Sequence, residues 1–584
     1  MAAKFLPMFH DEMTRLGWKE LDVLLVTGDA YVDHPSYGTA LVGRLLESRG
    51  YKVGIIAQPD WRKQDDFVRL GRPRLCAMVT AGNVDSMVAN YSANKRARRE
   101  DDFAPGGKTG RRPDRASIVY ANRLRAAFKG LPIILGGIEA SMRRLAHYDY
   151  WDDAVRRSLL LDAKADILVY GMGERPVCEV VDRLHQGQGC AMITDVRGTV
   201  AGVKPGQVPE GAVMLPSYDE VSADPKAFNK AFRLAYDEMN PRTGKVLAQP
   251  HGDRVVLQNP PALPLSSEEL DKSYDLPYAR RWHPSYDAQG GVKGFETVRW
   301  SITVVRGCSG ECSFCGLAMH QGRVIQSRTQ HSVLNEVRRM AKDPDFRGTI
   351  SDVGGPTANL YAASCRNWET HGPCRDKHCI MPSKCPSLKA GYDQCLELYR
   401  AIRQVPGVKH VFIGSGLRYD LLIEAEAQAY FKELCAHHVS GQMKVAPEHT
   451  DDKVLALMNK PPHAKYEEFV RKFELINAGL KSRQYLANYF ITAHPGCDLN
   501  EAYNCATTLK KRGMNPEQVQ DFIPLPMTVS GCMYHTAMHP FTGERVYVPK
   551  NLSEREMQRA LIQPQNARSG PFIEKALRII GKRL

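Results

Sequence analysis

The sequence predicts an α/β protein: a doubly wound parallel sheet at the amino terminus, a partial barrel of six β/α units, then a short carboxyl-terminal extension. Two patterns carry this reading. Short runs, apolar on both faces, recur as far as Gly171, as in strands buried on both sides of a parallel sheet. From Thr297 onward, six more such runs alternate with segments whose apolar residues fall at helical spacing, which argues for parallel strands joined by right-handed crossovers.

The amino-terminal strands are expected over 21–27, 52–57, 74–80, 131–137 and 165–171, with a helix over 39–49. Ligands of such a sheet sit beyond the carboxyl ends of its strands. Residues 1–185 are assigned to this domain. Residues 186–290, proline-rich and charged with one helix near 224–239, read as a connector packed on the barrel. Barrel strands are expected over 297–305, 348–354, 409–414, 441–446, 484–491 and 518–523, within a domain spanning 291–530. Val333, Val337 and Met340, like Phe469, Phe473 and Ile476, mark the buried faces of intervening helices. Six units are too few to close an eight-stranded barrel. In the extension, 531–584, a helix is predicted behind the Ser-x-x-Glu box at Ser553, and another over 572–580.

Cys308, Cys312 and Cys315 follow the first barrel strand, at the end where parallel barrels place their chemistry. Three thiolates in one short loop can hold three corners of an iron–sulfur cube and leave the fourth iron open. The alternative is a structural zinc ion completed by His320. A second group, Cys365, Cys374, Cys379 and Cys385, lies in a glycine- and proline-containing loop, 364–386, inserted after the second barrel strand. Its ligand count suits zinc or an auxiliary cluster, with His371 and His378 nearby, but its gaps match no common metal ribbon. Reduced thiols are the other reading.

Candidate ligand contacts end the next strands. Gly354 and Gly355 allow close backbone approach, and Ser415 and Glu448 are polar, although each also suits a turn or helix cap. His494-Pro495-Gly496 reads equally as a tight turn.

The chain's 15 cysteines in 584 residues suggest free thiols in a reducing setting. With neither a signal-type core at the amino terminus nor a membrane-length apolar run, a cytoplasmic protein is expected. The other cysteines (76, 178, 190, 395, 435, 497, 505 and 532) are expected to be mostly buried small hydrophobes. Net charge is +14. Two basic runs, at 95–99 and 111–115, read as solvated loops, with an RNA footprint as the alternative. Gly106-Gly107-Lys108-Thr109 is not a phosphate loop, because Asp102 stands where the first glycine belongs.

The triad, with Phe314 before its third cysteine, resembles the cluster loop of the radical S-adenosylmethionine (SAM) superfamily. Longer phrases at 104–116, 136–151, 258–262, 414–420 and 444–449 resemble the YgiQ-type radical SAM proteins, a likeness covering nearly the whole chain. It implies an open six-stranded radical SAM barrel and a 4Fe–4S cluster on Cys308, Cys312 and Cys315. SAM would bind the open iron, with Phe314 seating the adenine and Gly354 and Gly355 presenting backbone to the amino group. Ser415 and Glu448 would contact the ribose or the ammonium. The implied reaction is reductive cleavage of SAM to a 5′-deoxyadenosyl radical, fed by a donor such as flavodoxin or ferredoxin, with the substrate unassigned.

The phrases 132–137 and 165–174 also resemble cobalamin-binding domains. Asp33-His34-Pro35-Ser36-Tyr37-Gly38 approximates their Asp-x-His-x-x-Gly ligand motif, with the histidine one position early. A cobalamin-dependent methyltransferase acting on RNA is therefore one alternative, and a non-catalytic iron–sulfur redox sensor another. A methylthiotransferase is disfavoured, because Cys76, Cys178 and Cys190 are too dispersed to resemble a second cluster site.

Overall fold

In the computed structural model, which describes residues 5–582, the chain forms two compact units. The first runs to Arg299 and takes in Met319–Gln321; the second comprises Trp300–Ala318 and the chain from Gly322 onward.

The first unit is built on strands β1 (Val23–Thr27), β2 (Val53–Ala57), β3 (Cys76–Thr80), β4 (Ile133–Leu135) and β5 (Ile167–Val169). Nearly every residue in them is buried, as a sheet covered on both faces requires. They pair in parallel in the order β2-β1-β3-β4-β5, so the sheet reverses direction of growth between β1 and β3. The helix predicted over 39–49 is Gly38–Ser48.

The stretch predicted as a connector is corrected by the structure. Strands β6 (Thr199–Val203), β7 (Val213–Met214), β8 (Leu247–His251) and β9 (Arg254–Gln258) extend the same sheet in the order β5-β6-β9-β8-β7. β6 lies antiparallel to β5, and β8 and β9 form a hairpin. Burying Val200, Ala201, Leu247 and Leu257 outweighs the prolines and charges that suggested a loop. The helix predicted near 224–239 is Pro225–Asp237, capped by Asp224.

The 101–115 segment packs against the carboxyl ends of β1 and β3. Arg112, buried, donates from Nη2 to Asp29 Oδ1 at 2.6 Å and from Nε to the Gly28 carbonyl at 3.2 Å. Its Nη1 lies 3.3 Å from Asp101 Oδ2. A Cβ on Gly28 would meet the Ala81 carbonyl at 2.2 Å, so only glycine fits. The basic run at 111–115 is thus not a solvated loop: Arg112 is interior, and Arg115 bridges Asp149 and Asp152. Lys95, Arg96, Arg98 and Arg99 are exposed as expected.

The second unit carries the barrel strands. β10 (Ser301–Thr303) pairs in parallel with β12 (Asp352–Gly354), and β11 (Thr349–Ile350) with β13 (His410–Val411). β14 (Gln442–Glu448), β15 (Tyr485–Thr492) and β16 (Gln518–Asp521) form a parallel three-stranded sheet. A parallel bridge between Leu417 and Val445 links the two sets. This is the predicted run of six parallel β/α strands. The first begins later than expected, because Thr297 and Val298 end the helix Lys293–Val298. Val333, Val337, Met340, Phe469 and Phe473 join the core, and Ile476 packs against it.

In the extension, the helices are Leu552–Ile562 and Gly570–Ile580. Asn551, not Ser553, caps the first, accepting from the Ser553 amide. No helix among the described residues is long and apolar enough to cross a membrane.

Candidate functional site

The loop of the cysteine triad leaves a two-residue strand, Val305–Arg306, at Gly307. Gly307 has φ +82°, and a Cβ there would stand 2.2 Å from the Val324 carbonyl, so the turn requires glycine. Cys308 N–H donates to the Gly322 carbonyl and Cys315 N–H to that of Cys312. All three triad cysteines are unpaired thiols. Burial raises the Cys312 thiol, and Lys460 and Arg418 pull it back toward the thiolate. Cys315 is pushed up to about 12 by burial and by the neighbouring Cys312 and Cys308.

Those mutual effects place the three sulfurs within electrostatic reach of one another. Among the described residues, no three Cys, His, Asp or Glu side chains are gathered closely enough to hold a single ion. A cubane makes a different demand, since each thiolate binds its own iron and the sulfurs stand apart around the cube. The donor set therefore fits a cluster better than zinc. His320, the alternative's fourth ligand, is hydrogen-bonded through Nδ1 to Ser141 Oγ at 3.0 Å within the first unit.

Glu311 gives the loop its shape. Its backbone is left-handed (φ +48°), a conformation strained for a residue with a Cβ. The buried carboxylate compensates with an ion pair to Arg323 Nη1 at 2.9 Å and a close contact to His378 Nδ1 at 3.2 Å. Burial alone would raise its pKa; Arg323 and His378 hold it below the usual carboxylate range. His378 belongs to the 364–386 loop, which is thereby tied to the triad loop. Cys379 of that group also lies within electrostatic reach of Glu311 and Arg323. Cys374 Sγ accepts from Asn367 Nδ2 at 3.4 Å, Cys379 is buried and raised to about 12, and Cys385 N–H donates to the Cys379 carbonyl.

Gly354 and Gly355 end β12 in close packing. A Cβ on Gly354 would meet Ser415 Oγ at 2.5 Å; one on Gly355 would meet the Val305 carbonyl at 2.3 Å. Gly355→Ala is expected to force β10 and β12 apart beside the cluster loop and to cost about 1–3 kcal/mol as overpacking. A wild-type thermal midpoint for this variant would contradict that. Ser415 donates its hydroxyl proton to Asp352, whose Oδ1 also accepts from the Gly414 and Ser415 amides at 2.8 and 2.9 Å. Ser415 thus offers a ligand only its lone pairs.

Glu448 sits at a register shift in β14 with φ +68°. Burial raises its pKa, opposed by Lys460 and Arg418, and Lys460 Nζ lies 3.8 Å from its Oε1. The Tyr419 hydroxyl, buried among these groups, has no hydrogen-bond partner. Phe314 meets the His494 ring edge-on at 6.2 Å. His494 is fully buried and driven down to about 3 by desolvation. Being neutral, with Nδ1 2.7 Å from the Pro495 carbonyl, it carries its proton there and accepts from Ser530 Oγ at Nε2. Ser530 N–H also donates to the Ser313 carbonyl, so the helix Val529–Thr536 braces the cluster loop. His494-Pro495-Gly496 is the tight turn expected, closed by Cys497 N–H to the His494 carbonyl.

Sequence reasoning missed Thr357, Arg418, Lys460 and the Glu311–His378 pair. Arg418 falls inside the family-like stretch 414–420, but nothing in its spacing points at Cys312. In the first unit, His34 is buried and its Nδ1 accepts from the Ser36 amide. Its Nε2, also buried, has no hydrogen-bond partner.

Residues 5–301 match the family described as Radical SAM N-terminal, and residues 517–583 a domain of unknown function, DUF3362. A UPF0313 protein of Methanocella arvoryzae is 51% identical over 570 residues, spanning 98% of this chain and 94% of that protein. One from Clostridium botulinum (strain ATCC 19397 / Type A) is 50% identical over 559 residues, 96% of this chain and 87% of that protein. Among solved structures, the radical S-adenosylmethionine methyltransferase TsrM from Kitasatospora setae, with cobalamin and a [4Fe-4S] cluster bound, is similar in fold. The TM-score is 0.51 at 14% identity, covering 93% of this chain and 89% of that one.

Proposed function

Because the chain belongs to the UPF0313 family and carries its Radical SAM N-terminal domain, we propose that it is a radical SAM enzyme whose cluster is held by Cys308, Cys312 and Cys315. The observation that carries this is the triad itself: three unpaired thiols of one loop, two cations beside the central one, and no fourth cysteine in the loop. Bound there, a 4Fe–4S cluster supplies the single electron that cleaves the SAM sulfonium to methionine and a 5′-deoxyadenosyl fragment.

The chain's residues do the rest. Gly354 and Gly355 present backbone to the SAM amino group. Glu448, drawn toward its neutral form by burial and toward its charged form by Lys460, is suited to accept from an ammonium or a ribose hydroxyl. Phe314, fixed by His494, offers a flat apolar wall to the adenine. The helix Val529–Thr536 braces the loop through Ser530 N–H and the Ser313 carbonyl, and a site closed to water protects a reactive radical from quenching.

Anaerobic reconstitution with iron and sulfide, followed by dithionite and SAM, should release 5′-deoxyadenosine and methionine in equal amounts. A reduced, cluster-loaded protein that releases neither would favour a non-catalytic redox sensor. Methyl transfer assisted by a corrinoid is the second reading, favoured by the parallel β2-β1-β3-β4-β5 order of the first unit. A corrinoid absorbance retained by the purified protein, and methyl transfer from SAM to cellular RNA, would support it; their absence would remove it.

A further inference from the structure

Two of the triad sulfurs each meet a different hydrogen-bonding side chain. Thr357 Oγ1 lies 3.5 Å from Cys308 Sγ, and Arg418 Nη1 lies 3.6 Å from Cys312 Sγ. Both are ordinary lengths for a large sulfur acceptor. Metal-bound thiolates have no proton to give, so in a loaded site both contacts run donor to sulfur.

We propose that Thr357 and Arg418 set the reduction potential of the cluster, with Arg418 the stronger of the two; the proposal rests on the cluster assignment above. Hydrogen bonds to ligand sulfur stabilise the more negative, reduced cluster and raise its potential. Outer contacts of this kind also fix the orientation of the ligands.

Arg418 is built for the task. Its Nε and Nη2 are held by Asp420 at 2.9 and 2.6 Å. Its backbone N–H and C=O are both engaged by the Asn359 side chain at 3.0 Å. Arg418 and Asn359 are both buried, so water does not compete for the guanidinium. A Cβ on Gly310 would stand 3.2 Å from Nη1, which shows how closely the guanidinium lies over the loop. Its charge is permanent at any pH the protein survives. Asp420 offsets part of that charge. Removing the acid must therefore act in the opposite sense to removing the base, and a merely structural role would give no such reversal.

The test is dye-mediated potentiometry with iron and sulfide analysis on reconstituted wild type, Arg418→Met, Thr357→Val and Asp420→Asn. Arg418→Met should keep its iron and lower the reduced-to-oxidised ratio at fixed potential about tenfold, ~59 mV for one electron. Thr357→Val should shift it the same way by less, and Asp420→Asn the opposite way. A loaded Arg418→Met with the wild-type potential, or Arg418→Met and Asp420→Asn shifting in the same direction, would overturn the proposal. So would a folded Arg418→Met that takes up no iron, since the guanidinium would then hold the loop and not tune it. Failure of the wild type to bind iron would instead sink the cluster assignment.

Discussion

Cys312→Ala is expected to abolish iron uptake and, with it, SAM cleavage. Cys312 is the central ligand of the loop, the one Arg418 addresses and Lys460 and Arg418 draw toward the thiolate. Two remaining thiolates cannot hold a cube that also keeps an iron open to substrate. The loss should exceed the ~10–100-fold effects typical of outer-shell changes. The fold should survive, because the barrel's stability comes from packed β/α layers: Val305, Val353, Val411 and Val445 lie in one continuous core with the helices. Iron content, the visible cluster band and circular dichroism measure these together. Cys385→Ala is the control, expected to retain the triad's iron and SAM cleavage. If Cys312→Ala keeps both, the cluster assignment fails; if Cys385→Ala alone loses iron, the active cluster belongs to the 364–386 loop.

The parallel strands and the triad were legible because each is local. A strand buried on both faces needs only a short apolar run, as in Leu24–Val26 or Ile133–Leu135, and a CxxxCxxC loop is contiguous. Strands β6 to β9 were not legible. Pro250 interrupts β8, Gly202 interrupts β6, and prolines and charges surround both. Only their successive pairing outward from β5, through β6, β9 and β8 to β7, makes them strands of the sheet. Gly252, in the left-handed region at the turn between β8 and β9, was the available hairpin signal.

The surroundings of the triad were hidden for a related reason. Thr357 and Arg418 reach Cys308 and Cys312 across 49 and 106 residues of sequence, and His378 meets Glu311 only because the cysteine-rich loop folds back. Ser415 could be read as a ligand contact or a turn residue. Its partner, Asp352, shows that its first job is to tie the end of β12 to the turn after β13.

Arg112→Ala should be the most destabilising change in the first unit, by about 3–5 kcal/mol, because it strands a carboxylate in the interior. Arg112 and Asp29 are both buried, and Arg112 is the cation that Asp29 faces at 2.6 Å. Desolvation already raises Asp29 to about 6, against the opposing pull of Arg112 and the Asn83 amide. A raised carboxylate favours the protonated folded state. Its contribution to stability is therefore largest below the unfolded value of ~3.9 and is lost as pH rises toward about 6. Removing Arg112 takes away the main attraction that keeps the folded value that low, so the variant's loss should extend to higher pH. The gap between wild type and Arg112→Ala should be widest near neutrality and narrow toward about pH 4, where Asp29 is protonated in both. Calorimetric unfolding across that range tests the sign directly. A gap that stays constant with pH would mean that Arg112 stabilises the unit by packing alone, with its charge contributing nothing.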